Sequence, residues 1–367
     1  MNKTGFGFLR LPEIEKDGAK EIGYPLVDRM VDDYMSRGGR YFDTAYTYLD
    51  GRSEAAVKRC LVERHDRGSF ILADKLPGWK VKKPEDNRIY FNEQLERCGV
   101  DWFDVYLIHW LNAANFEVAE RMDQFAFLSQ LKKEGLAKKV GFSYHDGPEL
   151  LERILSAHPD IDIVQLQINY LDWESPAIRA RECYEVAARH GKQVVIMEPV
   201  KGGTLASLPP AAEELLKNAC PERSIPAWAI RFASRPENVA VVLSGMNTPE
   251  QIADNMSDFQ PLTDEELELL SKAADIIRGA TAIPCTGCNY CAPNCPMSIP
   301  IPRLFALYNE YKRYPEEGWK MPSAYREACS GRGLASSCIE CRMCESNCPQ
   351  QLPITDHLKT IREQFEK

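Results

Sequence analysis

Eight cysteines near the end of the chain form two copies of one pattern that is suited to binding iron-sulfur clusters. Each copy reads CxxCxxCxxxCP and supplies four thiolates within a short stretch. Three thiolates separated by two residues each can bind three corners of a cubane cluster. Structural zinc is the alternative, but zinc sites use two separated CxxC pairs rather than two complete quartets. The candidate metal ligands are Cys285, Cys288, Cys291, Cys295, Cys338, Cys341, Cys344 and Cys348.

The fourth cysteine of each quartet is expected to bind the cluster of the other quartet. The spacing is that of bacterial-type ferredoxins, in which the cysteine before proline ligates the second cluster. One 4Fe-4S cluster would then be held by Cys285, Cys288, Cys291 and Cys348, and the other by Cys338, Cys341, Cys344 and Cys295. Buried free cysteine is an ordinary core residue. No function is therefore assigned to the remaining five, Cys60, Cys98, Cys183, Cys220 and Cys329.

Composition and charge exclude several classes of partner. A net charge of −9 argues against nucleic acid and anionic membranes, which attract concentrations of Lys and Arg. No apolar run reaches the length of a membrane span, and the first residues lack the pattern of a signal peptide. We therefore expect a cytoplasmic protein with small-molecule or protein partners. In that reducing compartment the 13 cysteines favour metal or redox chemistry over disulfides.

The elements that precede the quartets read as alternating strands and helices. Apolar, β-branched runs typical of strands buried on both faces occur at 4–9, 40–44, 70–75, 104–109, 139–143, 163–168, 193–198 and 239–244. Helical patterns lie between them, among others at 25–37, 53–64, 84–98, 117–134, 148–157 and 176–190. Eight such units favour a closed (β/α)8 TIM barrel. The alternative is an open α/β sheet, but no GxGxxG follows the first strand and opens a helix.

A change of composition at Gly279 marks a predicted domain boundary. Residues 1–278 are expected to form the barrel, and residues 279–367 a small, mostly helical, ferredoxin-like domain with two 4Fe-4S clusters. The 42 residues between the quartets exceed a compact ferredoxin linker and contain helical patterns at 301–314 and 323–330.

Polar residues end several of the predicted barrel strands, where the chemistry of a (β/α)8 barrel takes place. They are Asp43, Lys75, His109, Ser143, Gln167, Glu198 and Ser244, with His145 two residues beyond Ser143. A lone polar residue at a strand end is usually a cap or turn residue. Lys75 is harder to explain in that way, because a buried lysine is costly unless a carboxylate such as Asp43 pairs with it.

These residues resemble the aldo-keto reductases over roughly residues 3 to 278. The resemblance rests on Asp43-Thr-Ala-x-x-Tyr48 followed by Ser53-Glu54, on Lys75, and on Tyr-Leu-Ile-His109-Trp110. Further family-like landmarks in the right order are Gly5-x-Gly7, Arg10-Leu-Pro12, Gly141-x-Ser143, Gln167-x-x-Tyr170, Gly245 and Asp254-Asn255. With the two quartets attached, the chain looks like the iron-sulfur branch of that family.

The resemblance implies an oxidoreductase that interconverts a carbonyl and an alcohol with NADP or NAD. Tyr48 would donate the proton to the carbonyl oxygen, and Lys75, held by Asp43, would make that tyrosine a stronger acid. His109 would hydrogen-bond the same oxygen. Tyr46 lies in the same loop and competes for the acid role, but only Tyr48 has the family's spacing from Asp43.

The resemblance also implies a set of cofactor-binding positions, with three departures from the family. They are Ser143, Tyr144, Gln167, Met197, Lys201, Gly245, Asn247, Gln251 and Asn255. Tyr144 replaces an asparagine, Met197 replaces the aromatic residue that stacks on nicotinamide, and Asn247 replaces the basic residue that meets the 2′-phosphate. A bound flavin is therefore kept as an alternative cofactor. Lys201 is either a phosphate ligand or a solvated surface lysine.

Three functions remain open. The first is a nicotinamide-dependent carbonyl reductase whose clusters exchange electrons with a ferredoxin, another electron-transfer partner or a second cofactor. The second is a reductase with structural clusters, and the third is an electron-transfer protein on a barrel scaffold. The sequence does not name the substrate. Trp79, Trp110 and Tyr24 are candidates for its apolar walls, or else for barrel packing.

Overall fold

The expected (β/α)8 barrel is confirmed. The computed structural model describes residues 3–16, 18–257 and 260–366. Eight parallel strands close in the order β1-β10-β9-β8-β7-β6-β5-β4, with β4 paired to β1. They are β1 (Thr4–Gly7), β4 (Tyr41–Asp43), β5 (Ile71–Leu76), β6 (Phe103–Leu111), β7 (Ala137–Tyr144), β8 (Ile163–Gln167), β9 (Gln193–Met197) and β10 (Val239–Ser244). An antiparallel hairpin of β2 (Glu13–Lys16) and β3 (Ala19–Ile22) follows β1.

Helices connect the barrel strands. They are α1 (Tyr24–Ser36), α2 (Ser53–Val57), α3 (Asp86–Cys98), α4 (Ala113–Arg121), α5 (Gln124–Lys133), α6 (Pro148–Ala157), α7 (Ala180–Arg189), α8 (Pro210–Ala219), α9 (Ile225–Ser234) and α10 (Pro249–Asn255). The single helix expected at 117–134 is two helices, α4 and α5, because Asp123 between them is left-handed with φ 51°. Another expected helix, 53–64, is α only through Val57 and continues as the π-helical turn Lys58–Val62.

The barrel interior explains how three functional side chains come to lie at one level. Side chains alternate across a strand, so residues two apart share a face. Apolar residues fill the interior, namely Tyr41, Ala73, Val105, Leu107, Ile163, Val195, Val241 and Leu243. Asp43, Lys75 and His109 each follow one of these residues by two positions on β4, β5 and β6. They therefore face inward at the carboxyl ends of three neighbouring strands, directly above the apolar filling.

The chain divides into two compact units. One comprises the residues up to Glu174, Arg179–Pro199 and Pro226–Leu262, and it contains all ten strands. The other comprises Ser175–Ile178, Val200–Ile225 and the chain from Thr263 onward. Its further helices are α11 (Asp264–Ala280), α12 (Ile301–Arg313), α13 (Met321–Ala328), α14 (Met343–Ser346) and α15 (Ile354–Phe365). The boundary between residues 278 and 279 stays a prediction.

The second unit has a hydrophobic core of its own, built mainly from α12, α13 and α15. Leu304, Phe305 and Ile361 are fully buried there, and four quartet cysteines pack at its edge. Helix α8 packs against α11, and Arg223 binds Glu266 at 2.6 Å. None of the described helices is long and apolar enough to cross a membrane.

Candidate active site and cluster sites

Lys75 is the centre of the polar group above the barrel filling. Its side chain is fully buried, and Nζ lies 2.5 Å from Asp43 Oδ1 and 2.7 Å from the carbonyl oxygen of Thr44. Burial raises the pKa of Asp43, while the charge of Lys75 acts in the opposite direction. Breaking such a buried pair by removing one partner costs about 3–5 kcal/mol. The expected pairing of Lys75 with Asp43 is therefore present in the structure.

Tyr48, and not Tyr46, faces this lysine. The Tyr48 hydroxyl accepts a hydrogen bond from Lys75 Nζ at 3.3 Å. Tyr48 opens a short helical turn in which Leu49 and Asp50 are both left-handed. The Tyr46 hydroxyl lies 3.2 Å from Glu93 Oε2, and its ring packs against the Arg97 guanidinium. The structure therefore brings together Asp43, Lys75 and Tyr48 and directs Tyr46 elsewhere.

His109 completes the group from the end of β6. Its ring centroid is 5.7 Å from that of Tyr48 and 5.3 Å from that of Trp79. The pairing of β6 with β7 shifts register between Ile108 and Leu111, and Trp110 is left-handed with φ 63°. Bulges of this kind redirect side chains next to active sites. The irregularity thus presents His109 and Trp110 together at the barrel mouth.

Two buried polar atoms of this group have no hydrogen-bond partner among the described residues. They are Oδ2 of Asp43 and Nδ1 of His109. Buried polar atoms nearly always form hydrogen bonds in native proteins. Two such atoms without a partner in the same group therefore indicate that a bound molecule or water supplies the missing hydrogen bonds. Burial, aided by the charge of Lys75, lowers the pKa of His109 well below its usual value. The imidazole is therefore neutral and can donate one N–H to an oxygen.

The neutral, buried state of His109 predicts acid sensitivity. Because burial depresses its pKa, the unfolded chain binds a proton below pH 6.5 that the folded chain does not. The free energy of unfolding should therefore fall by about 1.4 kcal/mol per pH unit as the pH drops below 6.5, on account of this residue. Urea unfolding followed by circular dichroism at several pH values measures it. H109Q is the control and should lack this part of the slope; equal slopes in the two proteins would contradict the assignment.

A network behind β5 holds the lysine in place. Gln94 on α3 donates to the backbone oxygen of Lys75 at 3.1 Å and to Glu54 at 2.9 Å, and Arg97 binds Glu54 at 3.0 Å. Ser53 donates to the Phe8 oxygen. Ser53-Glu54, one of the family landmarks, therefore fixes α2 to the turn that follows β1 and to α3.

Three predicted cofactor positions end β7 and β8. Ser143 Oγ accepts from the Trp110 backbone N–H at 2.6 Å. The Tyr144 hydroxyl donates to the Gly147 oxygen at 2.5 Å, so its polar end is engaged within its own loop. Gln167 donates through Nε2 to Asp172 at 2.7 Å. The hydroxyls of Ser143 and Tyr144 and the amide of Gln167 are therefore held in fixed orientations at these strand ends.

The remaining barrel positions in the set cluster at the ends of β9 and β10. Met197 ends β9, and Gly245 directly follows β10. The Asn247 backbone N–H donates to Gln251 Oε1 at 2.8 Å. Asn255 donates to Ser244 Oγ at 2.9 Å. Gln251 and Asn255 therefore shape the turn from β10 into α10, and the loops after the last two barrel strands are where (β/α)8 enzymes commonly bind phosphate.

Lys201 lies in the second compact unit and is not a surface residue. It is 3% exposed, and Nζ donates to Gln350 Oε1 at 2.8 Å. Gln350 directly follows the Cys348-Pro349 pair of the second quartet. From the sequence, Lys201 is interpreted as either a phosphate ligand or a solvated surface lysine. Its burial contradicts the second interpretation.

Each quartet of the cross-ligation scheme surrounds one cavity. The first cavity is lined by Cys285, Cys288, Cys291 and Cys348. The second is lined by Cys295, Cys338, Cys341 and Cys344. Ile301, at the start of α12, lines both. The fourth cysteine of each copy thus lines the cavity that the first three cysteines of the other copy line.

The backbone repeats along with the cysteines. Left-handed residues occur at matching places, Gly287 with Glu340, Asn289 with Arg342, and Ser298 with Gln351. Each copy then leads through Ile-Pro or Leu-Pro into a helix, α12 or α15. The Gly287 N–H donates to Cys285 Sγ at 3.4 Å. Hydrogen bonds from backbone N–H to sulfur stabilise thiolate ligands and are a means of tuning iron-sulfur clusters.

The donor arrangement fits a cluster better than a single ion. Among the described residues no three His, Cys, Asp or Glu side chains converge closely enough to share one metal ion. Zinc would draw four sulfurs to about 2.3 Å from one centre. Burial raises the pKa of the Cys344 thiol to about 11. Each cavity brings four cysteines together, which is the number of thiolates that one cubane cluster takes.

Several residues of these sites were not singled out from the sequence. Asn169 and Asp172 join Gln167 in a buried network, with Asn169 Nδ2 2.7 Å from Asp172 Oδ2. The Asn-x-x-Asp spacing directly after β8 was a usable signal. Gln350 carried no signal beyond its place after the Cys-Pro pair. Tyr24, a candidate substrate wall, lies beneath the Arg59 guanidinium at 3.9 Å.

Comparison with known proteins finds relatives along the barrel. An aldo-keto reductase from Mycolicibacterium smegmatis is 27% identical over 270 residues, which cover 70% of this chain and 86% of that protein. The NADH-specific methylglyoxal reductase of Escherichia coli strain K12 is 24% identical over 286 residues, covering 65% and 85%.

Solved structures share the fold. The holo form of an aldo-keto reductase from Bacillus halodurans matches with a TM-score of 0.60 and 23% identity, over 74% of this chain and 91% of that one. An aldo/keto reductase from Klebsiella pneumoniae in complex with NADP and acetate matches with a TM-score of 0.59 and 19% identity, over 74% and 90%.

Two protein-family models match the chain, one over the barrel and one over the cysteine quartets. The 4Fe-4S dicluster domain matches residues 284–353. The aldo/keto reductase family matches residues 5–275, well over half of the 367 residues. The chain therefore belongs to the aldo/keto reductase family, and it is an oxidoreductase that carries a 4Fe-4S dicluster domain after its barrel.

Proposed function

We propose that this oxidoreductase interconverts a small carbonyl compound and its alcohol with a nicotinamide cofactor, and that two 4Fe-4S clusters connect the reaction to a one-electron carrier. The observation that carries the proposal is the fully buried Lys75, 2.5 Å from Asp43 and 3.3 Å from the Tyr48 hydroxyl at the barrel mouth. An electron-transfer scaffold would have no use for this arrangement.

The residues of the chain supply the proton and orient the substrate. The ammonium of Lys75 stabilises the phenolate of Tyr48 more than the phenol, so that the hydroxyl can give its proton to the carbonyl oxygen. Neutral His109 can donate to the same oxygen from the other side, and Trp79 and Trp110 pack around it with ring centroids 5.5 Å apart. A bound nicotinamide supplies the hydride to the carbonyl carbon.

The proposed cofactor residues are those at the ends of β7 to β10. Ser143 and Gln167 are held in place to receive a carboxamide, and the loop that begins at Gly245 is proposed to receive phosphate. Asn247 carries no charge toward a 2′-phosphate, which favours NADH over NADPH. The relative from Escherichia coli is named for NADH, and the Klebsiella structure contains NADP. A flavin is the alternative that Tyr144 and Met197 leave open.

The two clusters are proposed to carry electrons and not only to fasten the tail. One quartet would suffice as a staple, whereas two cavities that share Ile301 as a wall suit transfer between clusters. A hydride carries two electrons and each cluster carries one, so the two clusters together could hold the electrons of one turnover. Dividing the hydride into single electrons is chemistry that a bound flavin, the alternative cofactor, would supply. The proposed partner is a ferredoxin or another one-electron carrier. The thiolate ligands also suit a reducing cytoplasm.

An anaerobic absorption experiment tests the coupling. The purified chain is first scanned, because one spectrum reports iron-sulfur clusters and flavin together. Reduced nicotinamide is then added to one sample, and an alcohol together with oxidised nicotinamide is added to another. We expect cluster absorption near about 400 nm to bleach as electrons arrive. Freeze-quench paramagnetic resonance times this change against turnover.

The control separates coupled clusters from structural ones. Y48F should slow bleaching by alcohol, because it blocks the chemistry while leaving the cluster sites unchanged. If a folded variant without clusters reduced carbonyls with NADH or NADPH at the intact rate, the clusters would be structural. If no nicotinamide-dependent carbonyl reduction occurred at all, the reductase proposal would fail.

A further inference from the structure

We propose that Lys201 is a built-in cation that raises the reduction potential of the first cluster, the one placed in the cavity of Cys285, Cys288, Cys291 and Cys348. The inference rests on the proposed function in one respect, that the cavity holds a 4Fe-4S cluster. It goes further by assigning this chain's own lysine a role toward that cluster rather than toward a nicotinamide phosphate.

The burial of Lys201 is the first observation. The side chain is 3% exposed, although a lysine ordinarily keeps its ammonium in water. Its backbone is left-handed, with φ 47°, and Gly202 and Gly203 continue in that region at 63° and 101°. A non-glycine residue is strained in this conformation, because its Cβ approaches the following carbonyl oxygen. The chain therefore accepts both burial and strain to bring this amine inward.

The bond to Gln350 is the second observation. Lys201 Nζ donates to Gln350 Oε1 at 2.8 Å, and Gln350 is itself a wall of the first cavity. Gln350 lies two residues after Cys348, which lines the same cavity. Lys201 thus holds the segment that carries one cysteine of the quartet, and its amine lies directly behind that segment.

The charge has a defined effect on redox chemistry. A cubane bound by four thiolates is anionic and gains one more negative charge when it accepts an electron. A fixed cation nearby stabilises the reduced form more than the oxidised form, and the low dielectric of a buried site strengthens the effect. Lys201 should therefore favour reduction of the first cluster relative to the second, whose cavity does not include Gln350 in its wall.

A redox titration of the full chain with its clusters tests the proposal. Protein is poised with dithionite and mediators, and each cluster is quantified by paramagnetic resonance. K201M and K201Q remove the charge, and K201Q keeps an amide that can still donate to Gln350. K201R keeps the charge. K272M is the matched control, because Lys272 is an exposed lysine of α11 in the same unit.

We expect the neutral variants to shift the reduction equilibrium of one cluster about tenfold toward the oxidised form, which is 59 mV for a one-electron couple. K201R and K272M should titrate like the parent chain. C341S lacks a ligand of the second cluster. If the neutral variants show the same shift in this background, the shift belongs to the first cluster. If K201M and K201Q titrate like the parent with both clusters assembled, the proposal is wrong.

Loss of a cluster is equally informative. If both neutral variants lose the first cluster while K201R keeps it, the charge is needed and the proposal is supported. If K201R loses it as well, the side chain serves packing and the proposal is overturned. Dithionite reduces clusters without any substrate. A chain that titrates as expected but fails to reduce carbonyls would therefore refute the proposed reductase function and leave the role of Lys201 standing.

Discussion

Y48F is expected to lower the rate of carbonyl reduction by about 10²- to 10⁴-fold, which is the range that a positioned general acid contributes. The substitution removes the hydroxyl that lies 3.3 Å from Lys75 Nζ and leaves the ring that faces His109. Binding of the nicotinamide should change little, because no predicted cofactor position is altered. Steady-state kinetics with a small aldehyde, together with fluorescence titration of the cofactor, measure both quantities.

Y46F is the matched control for this experiment. It removes a hydroxyl from the same loop, but that hydroxyl bonds Glu93 rather than Lys75. Its activity should stay within a few-fold of the parent. A harmless Y48F together with a damaging Y46F would reverse the assignment. Substitution of Lys75 is a poorer test, because it would leave Asp43 buried without its counter-ion and cost stability as well as activity.

C348S is expected to abolish the first cluster, although Cys348 belongs to the second copy of the cysteine pattern. The cavity geometry gives the reason, since Cys348 faces Cys285, Cys288 and Cys291. C295S should in the same way abolish the second cluster. Iron and sulfide should fall from about eight of each per chain to about four in either variant, because each cubane holds four of each. Chemical assay after anaerobic reconstitution provides the count, and paramagnetic resonance shows which signal is lost.

C329S controls for the general effect of removing a thiol from this unit. Cys329 is buried beside Tyr325 and outside both quartets, so its loss should leave about eight iron atoms in place. If C348S removed the signal that depends on Cys338, Cys341 and Cys344, ligation would be within each copy and the cross-ligation would be wrong. Zinc without sulfide in the parent chain would overturn the clusters altogether.

The barrel could be predicted from the sequence because its strands are buried on both faces. Such strands read as unbroken apolar runs. For 239–244 the expected and observed bounds coincide, and the other seven strands differ by one or two residues at an end. Glycine is a second signal, because it favours the left-handed conformation that ends many helices. Gly38 and Gly99, which follow α1 and α3, have φ 86° and 71°. Both signals are local, and so they survive in a single sequence.

What the sequence could not predict depends on contacts between distant residues. The hairpin of β2 and β3 has seven exposed residues out of eight, so no apolar pattern marks it. The break between α4 and α5 depends on the left-handed φ angle of Asp123, which interrupts an otherwise continuous helical pattern. Lys201 and Gln350 are 149 residues apart, and nothing in either neighbourhood requires their hydrogen bond. The candidate catalytic residues could be predicted from the sequence because Asp43, Lys75 and His109 each lie at the end of an apolar run.

The exchange of fourth cysteines between the two copies has a consequence for how the protein is made and how it fails. Cys295 is translated with the first copy and Cys348 with the second, yet each stands among the cysteines of the other. If the proposed clusters form in these cavities, neither copy can complete one while it emerges from the ribosome alone, and loading must wait for the last quartet. Oxygen damage to either cluster would then free three cysteines of one copy and one of the other, so both copies would loosen together.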